Sequence, residues 1–403
     1  MVGVIMRNDY VDIIYQNVKI QEGRQAIEKL LIDFYFARGY SSKDYAVLNN
    51  IPVPLVTAIK NEALKLKLLE KSAGIHLSLK GKQFVENELG YRGINVKLYK
   101  TLNISNADKI KERLSLNLNN IFENRPKADV SVDQSKCTLE TAIKRALLCL
   151  ENNCLIGKNI LCVGDDDLIS VSIGMLLHTL YSGNMNLCKT KIYVLDSDQR
   201  ILDYICEIAK LYDLPVNCYN IDFRDSIPNE YISKMDCLYT DPPYTLSGMK
   251  LFLSRGLECL KNSVSLNVFL SYAHKSQEEM LKIHKIFIEL GLSALRIMPK
   301  FNRYEGAGIL GNSSQMFLLK TTAAARSPII GEKFNIPIYT GEIKKTRRKY
   351  GCKNCNTIHY VSLEDTYSTI EELKTAGCTI CGHHFFNMVS KKKMLNGDKE
   401  SYK

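Results

Sequence analysis

Residues 136–325 predict an α/β fold, a Rossmann-like doubly wound parallel sheet, with a winged helix before it and a zinc ribbon after it. Three observations predict this arrangement. Short apolar runs alternate with helical patterns from Thr138 onward, successive runs end in a carboxylate, and two paired-cysteine knuckles stand near the end of the chain. The chain has 403 residues, enough for one large unit with appendages. Its 45% hydrophobic and 24% charged content is globular, and no run approaches the ~20 apolar residues that span a bilayer, which excludes a helical membrane protein. The apolar start before Arg7 and Asp9 is too short for a secretory signal and lacks its basic opening, so a cytoplasmic location is expected.

Residues 1–90 carry the winged-helix pattern. Helical spacing over 24–38, a short helical run at 42–48 and a third helix from Pro52 and Pro54 to about Leu66 precede two short strands. These run through Leu69-Glu70 and Ile75–Leu79 around a turn at Ser72-Ala73-Gly74, and a helix to Leu89 closes the unit. The recognition helix and its end offer Lys60, Lys65 and Lys67 and no arginine, so docking or dimerisation is expected of it rather than duplex reading. By analogy the chain is expected to be a homodimer. Residues 91–135 are polar and Asn-rich and read as a linker with a helix near 107–117.

The central alternation then unfolds in order. A helix at 138–151 leads to a strand at 159–163, a helix at 168–181, a strand at 191–195, a helix at 199–212, and strands at 216–221 and 236–240. In an open parallel sheet the ligand lies beyond the carboxyl ends of the strands. There stand Gly164-Asp165-Asp166-Asp167, Asp196-Ser197-Asp198, Asp222 and Asp241-Pro242-Pro243-Tyr244. A single strand-end aspartate is as readily a helix cap. Four such ends, one of them a triple aspartate, point to a site.

Charge agrees. The chain is +11 overall, yet residues 151–250 hold 8 Lys and Arg against 14 Asp and Glu. An acidic centre in a basic protein is suited to a cationic ligand. Asp196 takes the place of a ribose-binding carboxylate, and Asp222 the weaker place beside an adenine amino group. Three aspartates at the first turn disfavour the carboxylate of intact S-adenosylmethionine, since like charges a few ångströms apart cost on the order of several kcal/mol even at an effective dielectric of ~20. A donor carrying only a sulfonium and an ammonium is attracted instead. Asp-Pro-Pro-Tyr is similar to the signature of amino-group methyltransferases, in which an aspartate accepts from an attacking nitrogen and the ring packs beside the sulfonium.

Several motifs occur together: Asp133-Gln134, Thr138-Leu139-Glu140-Thr141, Gly164-Asp165-Asp166-Asp167-Leu168, Leu195-Asp196-Ser197-Asp198, Asp241-Pro242-Pro243-Tyr244-Thr245, Tyr304-Glu305-Gly306-Ala307 and Leu310-Gly311-Asn312. Across about residues 20–320 the chain resembles the branched-chain polyamine synthase family, N(4)-bis(aminopropyl)spermidine synthase. The resemblance implies a class I methyltransferase-like fold and an enzyme that moves aminopropyl groups from decarboxylated S-adenosylmethionine to the central secondary amine of spermidine, releasing methylthioadenosine. It implies Gly164, Asp165, Asp196 and Asp222 around the donor, and Asp166 and Asp167 on the acceptor and donor amines. Asp241 would orient the nucleophile, Tyr244 would wall the sulfonium, and Asp133, Gln134 and Glu305 would hold the polyamine. Which aspartate serves as base stays open.

The tail, 340–403, lies outside the resemblance. Cys352-Lys353-Asn354-Cys355 and Cys378-Thr379-Ile380-Cys381 have the spacing of a four-thiolate zinc site, and with no open position that metal is structural. His383 and His384 read as neighbours of the site. The other nine of the 13 cysteines are unpaired in spacing and expected to be reduced core residues. Basic clusters at Lys344-Lys345-Thr346-Arg347-Arg348-Lys349 and Lys391-Lys392-Lys393 flank the ribbon. They sustain two alternatives: an amino-methyltransferase acting on nucleic acid from intact S-adenosylmethionine, and a non-enzymatic regulator that senses a ligand. The acidic rim disfavours the first, and the Asp-Pro-Pro-Tyr turn the second.

Overall fold

The computed structural model describes residues 9–36, 39–72, 74–103, 108–305, 312–343, 346–362, 365–367 and 369–393. Gly306, Ala307, Leu310 and Gly311 of the quoted motifs, and Lys344 and Lys345 of the basic flank, lie outside them. The chain forms two compact units. The first holds the chain through Pro126, Lys136–Pro242 and Phe252–Phe334, and the second holds Lys127–Ser135, Pro243–Leu251 and the chain from Asn335 onward.

The first unit opens with α1 (Tyr10–Val18), α2 (Arg24–Phe36), α3 (Ser42–Asn49) and α4 (Val53–Lys65), then the antiparallel pair β1 (Leu69–Lys71) and β2 (Ile75–Leu77), then α5 (Leu79–Gln83). The elements expected over 24–89 are present, and α1 is added before them. Its start is fixed by Asp9, whose carboxylate accepts from the Val11 and Asp12 amides. Two further helices follow, α6 (Val96–Asn103) and α7 (Asp108–Glu123). The stretch 91–135, expected to be a linker, is therefore largely packed structure. Leu114, Leu118, Ile121 and Phe122 of α7 are buried, and their i, i+4, i+7, i+8 spacing is an apolar stripe that the many intervening asparagines obscure.

The sheet follows as expected: α8 (Leu139–Glu151), β3 (Asn159–Val163), α9 (Ile169–Leu180), β4 (Lys191–Asp196), α10 (Gln199–Leu211), β5 (Val216–Asn220) and β6 (Cys237–Thr240). Next come α11 (Leu246–Cys259), β7 (Asn267–Ala273), α12 (Gln277–Glu289), β8 (Leu292–Arg303) and β9 (Ser313–Thr321). Strand order is β5-β4-β3-β6-β7-β9-β8, parallel from β5 to β7. The sheet is not wholly parallel, because β9 runs antiparallel to both β7 and β8. Only nine residues separate β8 from β9, fewer than the dozen or so that a parallel crossover needs, so the chain returns antiparallel. Between β3 and β6 the winding reverses, which opens the crevice that such sheets use for ligands.

One apolar core runs from Val11 and Ile27 of the first helices through Phe84 to Ile160, Ile192 and Leu318 of the sheet. Residues on both sides of position 90 share it. The ion pair of Lys158, just before β3, with Glu28 of α2 stands beside that core. Among the described residues no helix is long and apolar enough to cross a membrane. Of the nine scattered cysteines, Cys137, Cys149, Cys154, Cys162, Cys237 and Cys259 are buried as expected, whereas Cys188 and Cys218 are half-buried and Cys206 is exposed.

The second unit holds α13 (Thr340–Ile343), β10 (Thr346–Cys352), β11 (Ile358–Val361), α14 (Ile370–Ala376) and β12 (Phe386–Lys393). Its strands form an antiparallel sheet in the order β11-β10-β12. Tyr350, Cys352, Val361, Leu373, Cys378 and Phe386 form its small core.

Candidate active site

The parallel register decides which side chains meet. Val163 lies opposite both Leu195 and Thr240, so Asp196, Gly164 and Asp241 follow one another across the edge of β4, β3 and β6. Gly164 turns the chain with φ 73°, and a Cβ there would press on Phe252 at 3.3 Å. Leu168 closes the same loop with φ 54°, a left-handed conformation that costs a leucine roughly 1–2 kcal/mol. Its buried side chain holds it there.

The triple aspartate divides into unlike parts. Asp165 turns inward and caps α9, accepting from Ile169 N at 2.7 Å and Ser170 N at 3.0 Å. Its own amide donates to Asp196 Oδ2 at 2.9 Å, while Asp196 Oδ1 accepts from Asp198 N at 2.8 Å. Burial pushes both carboxyls above the usual range, against these donors. Asp166 is half-buried. Asp167 is buried, accepts from the Cys137 amide and takes Arg145 Nη1 at 2.7 Å.

Arg145 was not anticipated and lies at the centre of the site. It projects from α8 with its side chain 2% exposed. Besides Asp167, its Nη2 donates to Asp241 Oδ2 at 2.9 Å and to Tyr304 Oη at 3.3 Å, and its Nε donates to Asn302 Oδ1 at 2.9 Å. Tyr304 Oη also donates to Asp241 Oδ2 at 2.6 Å. Both bonds to Asp241 thus fall on Oδ2, and among the described residues none is made to Oδ1. Burial pushes the Asp241 carboxyl up to about 6, against the pull of Arg145. The signal that could have revealed Arg145 is its place in the apolar stripe of α8 with Ala142 and Cys149, where a charge needs a buried partner.

Asp222 is exposed and accepts from Arg224 N at 2.9 Å. Glu305, half in solvent, takes Arg125 Nη2 at 2.7 Å, a partner the sequence reading missed. Tyr244, half-buried, belongs to the second unit. So do Asp133, whose Oδ2 accepts from Thr340 N at 2.6 Å, and Gln134, whose Oε1 accepts from Asp129 N at 2.7 Å.

The four knuckle cysteines converge within the second unit, all four Sγ atoms lying within 4.8 Å of one another. Cys352 and Cys381 are 3.6 Å apart, and Cys355 and Cys378 3.5 Å. Zn–S bonds of ≈ 2.3 Å in a tetrahedron require about this separation. His359, unanticipated, is buried with Nε2 3.3 Å from Cys378 Sγ, whereas His384 Nδ1 meets Lys374 O at 2.6 Å.

Comparison with known proteins agrees with this architecture. The model of the branched-chain polyamine synthase A C-terminal domain matches residues 114–347. An uncharacterized protein of Methanocaldococcus jannaschii is 33% identical over 94% of this chain and 92% of its own length. The N(4)-bis(aminopropyl)spermidine synthase of the same organism is 28% identical over 65% of this chain and 73% of its own. The crystal structure of the Thermus thermophilus branched-chain polyamine synthase, in complex with N4-aminopropylspermidine and 5'-methylthioadenosine, superposes with a TM-score of 0.50 at 19% identity, covering 83% of this chain and 96% of that one. That last likeness is one of fold. With the family model spanning more than half of its length, the chain belongs to the branched-chain polyamine synthase family.

Proposed function

We propose that the chain is an aminopropyltransferase that alkylates the central secondary amine of spermidine from decarboxylated S-adenosylmethionine, giving a branched polyamine and methylthioadenosine. The carrying observation is Asp241, a carboxylate 12% exposed with one oxygen held by Arg145 and Tyr304 and the other left for a nitrogen. The amine lone pair attacks the methylene bonded to the sulfonium, a C–N bond forms, and the C–S bond breaks with its electrons passing to sulfur. The proton shed by nitrogen goes to a carboxylate or to solvent. Asp241 Oδ1 accepts the N–H and aims the lone pair.

Around this step Asp196 takes the ribose hydroxyls and Asp222 the adenine amino group, while Gly164 and Asp165 shape the loop beside the donor. Asp166 faces the acceptor and donor ammonium groups and Glu305 the polyamine tail, while Asp167, taken up by Arg145 and the Cys137 amide, fixes that cation beside Asp241 instead of meeting an amine. Tyr244 walls the sulfonium, and Asp133 and Gln134 complete the acceptor's binding. The helices and hairpin of residues 24–89 are a winged helix through which the enzyme forms a cytoplasmic homodimer.

The deciding experiment incubates the protein with spermidine and either decarboxylated or intact S-adenosylmethionine and weighs the products by mass spectrometry. Addition of one or two aminopropyl units from the decarboxylated donor alone is expected. No polyamine product, with methyl transfer to added nucleic acid from the intact donor, would overturn the assignment.

The four cysteines hold a structural zinc, with His359 donating to the Cys378 thiolate. About one zinc per chain is expected on release into a chromogenic chelator, and less than a fifth of that from Cys378→Ser. Equal metal content in the two proteins would refute the site.

A further inference from the structure

The ribbon sheet has one face that neither the cysteine knuckles nor aminopropyl transfer explains. Along β10, Arg348 and Tyr350 stand opposite Val361 and His359 of β11, both buried, and so belong to the inner face. Arg347 and Lys349 alternate to the outer face. There Lys349 lies between Tyr360 of β11 and Ser390 of β12, and Arg347 lies opposite Lys392. Gly351 continues this face, and a Cβ on it would meet Val389 at 3.4 Å and Ile358 at 3.8 Å, which puts those two side chains beside it. Tyr360, Ile358 and Val389 are 42%, 38% and 57% exposed.

Like charges placed directly opposite on neighbouring strands cost stability. Here the pairing occurs twice in succession, Arg347 with Lys392 and Arg348 with Lys391. Asp365 offsets Arg347, its two oxygens accepting from Nε at 3.0 Å and Nη2 at 2.7 Å, and the same guanidinium lies 4.2 Å from the centre of the Tyr360 ring. A row of cations beside an exposed, partly aromatic surface has the two elements that single-stranded nucleic acid needs: charges that track phosphates and a ring on which any base can stack.

We propose that this outer face binds single-stranded nucleic acid, with phosphates along Lys349 and Lys392 and a base stacked on Tyr360, which Arg347, paired with Asp365, holds in place. An acidic protein would match the cations and leave the exposed ring and its apolar neighbours unaccounted for. A duplex keeps its base faces hidden, so stacking on Tyr360 selects the single strand.

The test is fluorescence anisotropy of the full chain with a labelled 20-nucleotide single strand of mixed sequence and with the corresponding duplex, at 50 to 200 mM salt. Binding to the single strand is expected, weakening as salt rises. Lys349→Glu combined with Lys392→Glu should weaken it at least tenfold and flatten the log–log salt slope by about 1.4, the effect of losing two phosphate contacts. Tyr360→Ala should weaken the single strand about five- to a hundredfold and the duplex little. Lys349→Gln with Lys392→Gln, and zinc content measured on every variant, separate loss of contacts from loss of the ribbon's fold. Absence of binding at 50 mM salt, an unchanged salt slope in the charge-altered proteins that retain zinc, or equal affinity for duplex with Tyr360→Ala silent would each overturn the proposal.

Discussion

Asp241→Asn is expected to lower kcat for aminopropyl transfer about a hundred- to thousandfold, the range typical of removing a positioned acid–base group, with the apparent affinity for the donor little changed. The amide is nearly isosteric, so the fold is kept, but its orientation is forced. Arg145 Nη2 and Tyr304 Oη are both donors aimed at Oδ2, so the amide oxygen must take that place. The amide NH2 then occupies the position of Oδ1 and presents hydrogens to the attacking nitrogen, where an acceptor is needed.

The pH profile carries the same signature. Burial holds the Asp241 carboxyl at about 6, so the acceptor form predominates above that pH and is protonated below it. In the wild type kcat/KM should fall about tenfold per pH unit below 6, and the Asn variant should lose that limb. Initial rates between pH 5 and 9, read as methylthioadenosine release, decide the matter. An Asn variant within fivefold of wild type, with its acid limb intact, would remove Asp241 from the chemistry.

How much of this was legible in the sequence depended on what each residue pattern determines locally. The alternation of apolar runs and helices located β3, β4, β5 and β6 to within a residue or two, because a buried parallel strand bounded by turn residues leaves a plain trace. The convergence of Gly164, Asp196 and Asp241 followed from it, since in-register parallel strands bring their ends together. The electrostatics were less legible. The sequence places three charges at the first turn, yet Asp165 is turned into the N-terminus of α9 and Asp167 is neutralised by Arg145, which leaves Asp166 as the member that is only half-buried. Repulsion of a donor carboxylate is correspondingly weaker than the count of aspartates suggests. Sequence adjacency says that charges are near one another. It does not say which of them a helix end or a buried cation has already compensated.

Arg145→Met is expected to damage the protein more broadly than any change on the acidic rim. Removing one partner of a buried ion pair typically destabilises by about 3–5 kcal/mol, because the charge left behind is uncompensated. Here two carboxylates, Asp167 and Asp241, lose their shared cation, and Asn302 loses the donor to its Oδ1. Thermal melting should report the loss of stability. The specific consequence is electrostatic: without the guanidinium the Asp241 carboxyl rises further, so the acid limb of kcat/KM should move from about 6 toward neutral pH in whatever fraction stays folded. Arg145→Lys restores a charge without the planar fork that reaches Asn302, Asp167 and Asp241 together, so it should recover much of the melting temperature and little of kcat. A residue that only fills space would respond otherwise, with the limb unmoved and Lys no better than Met.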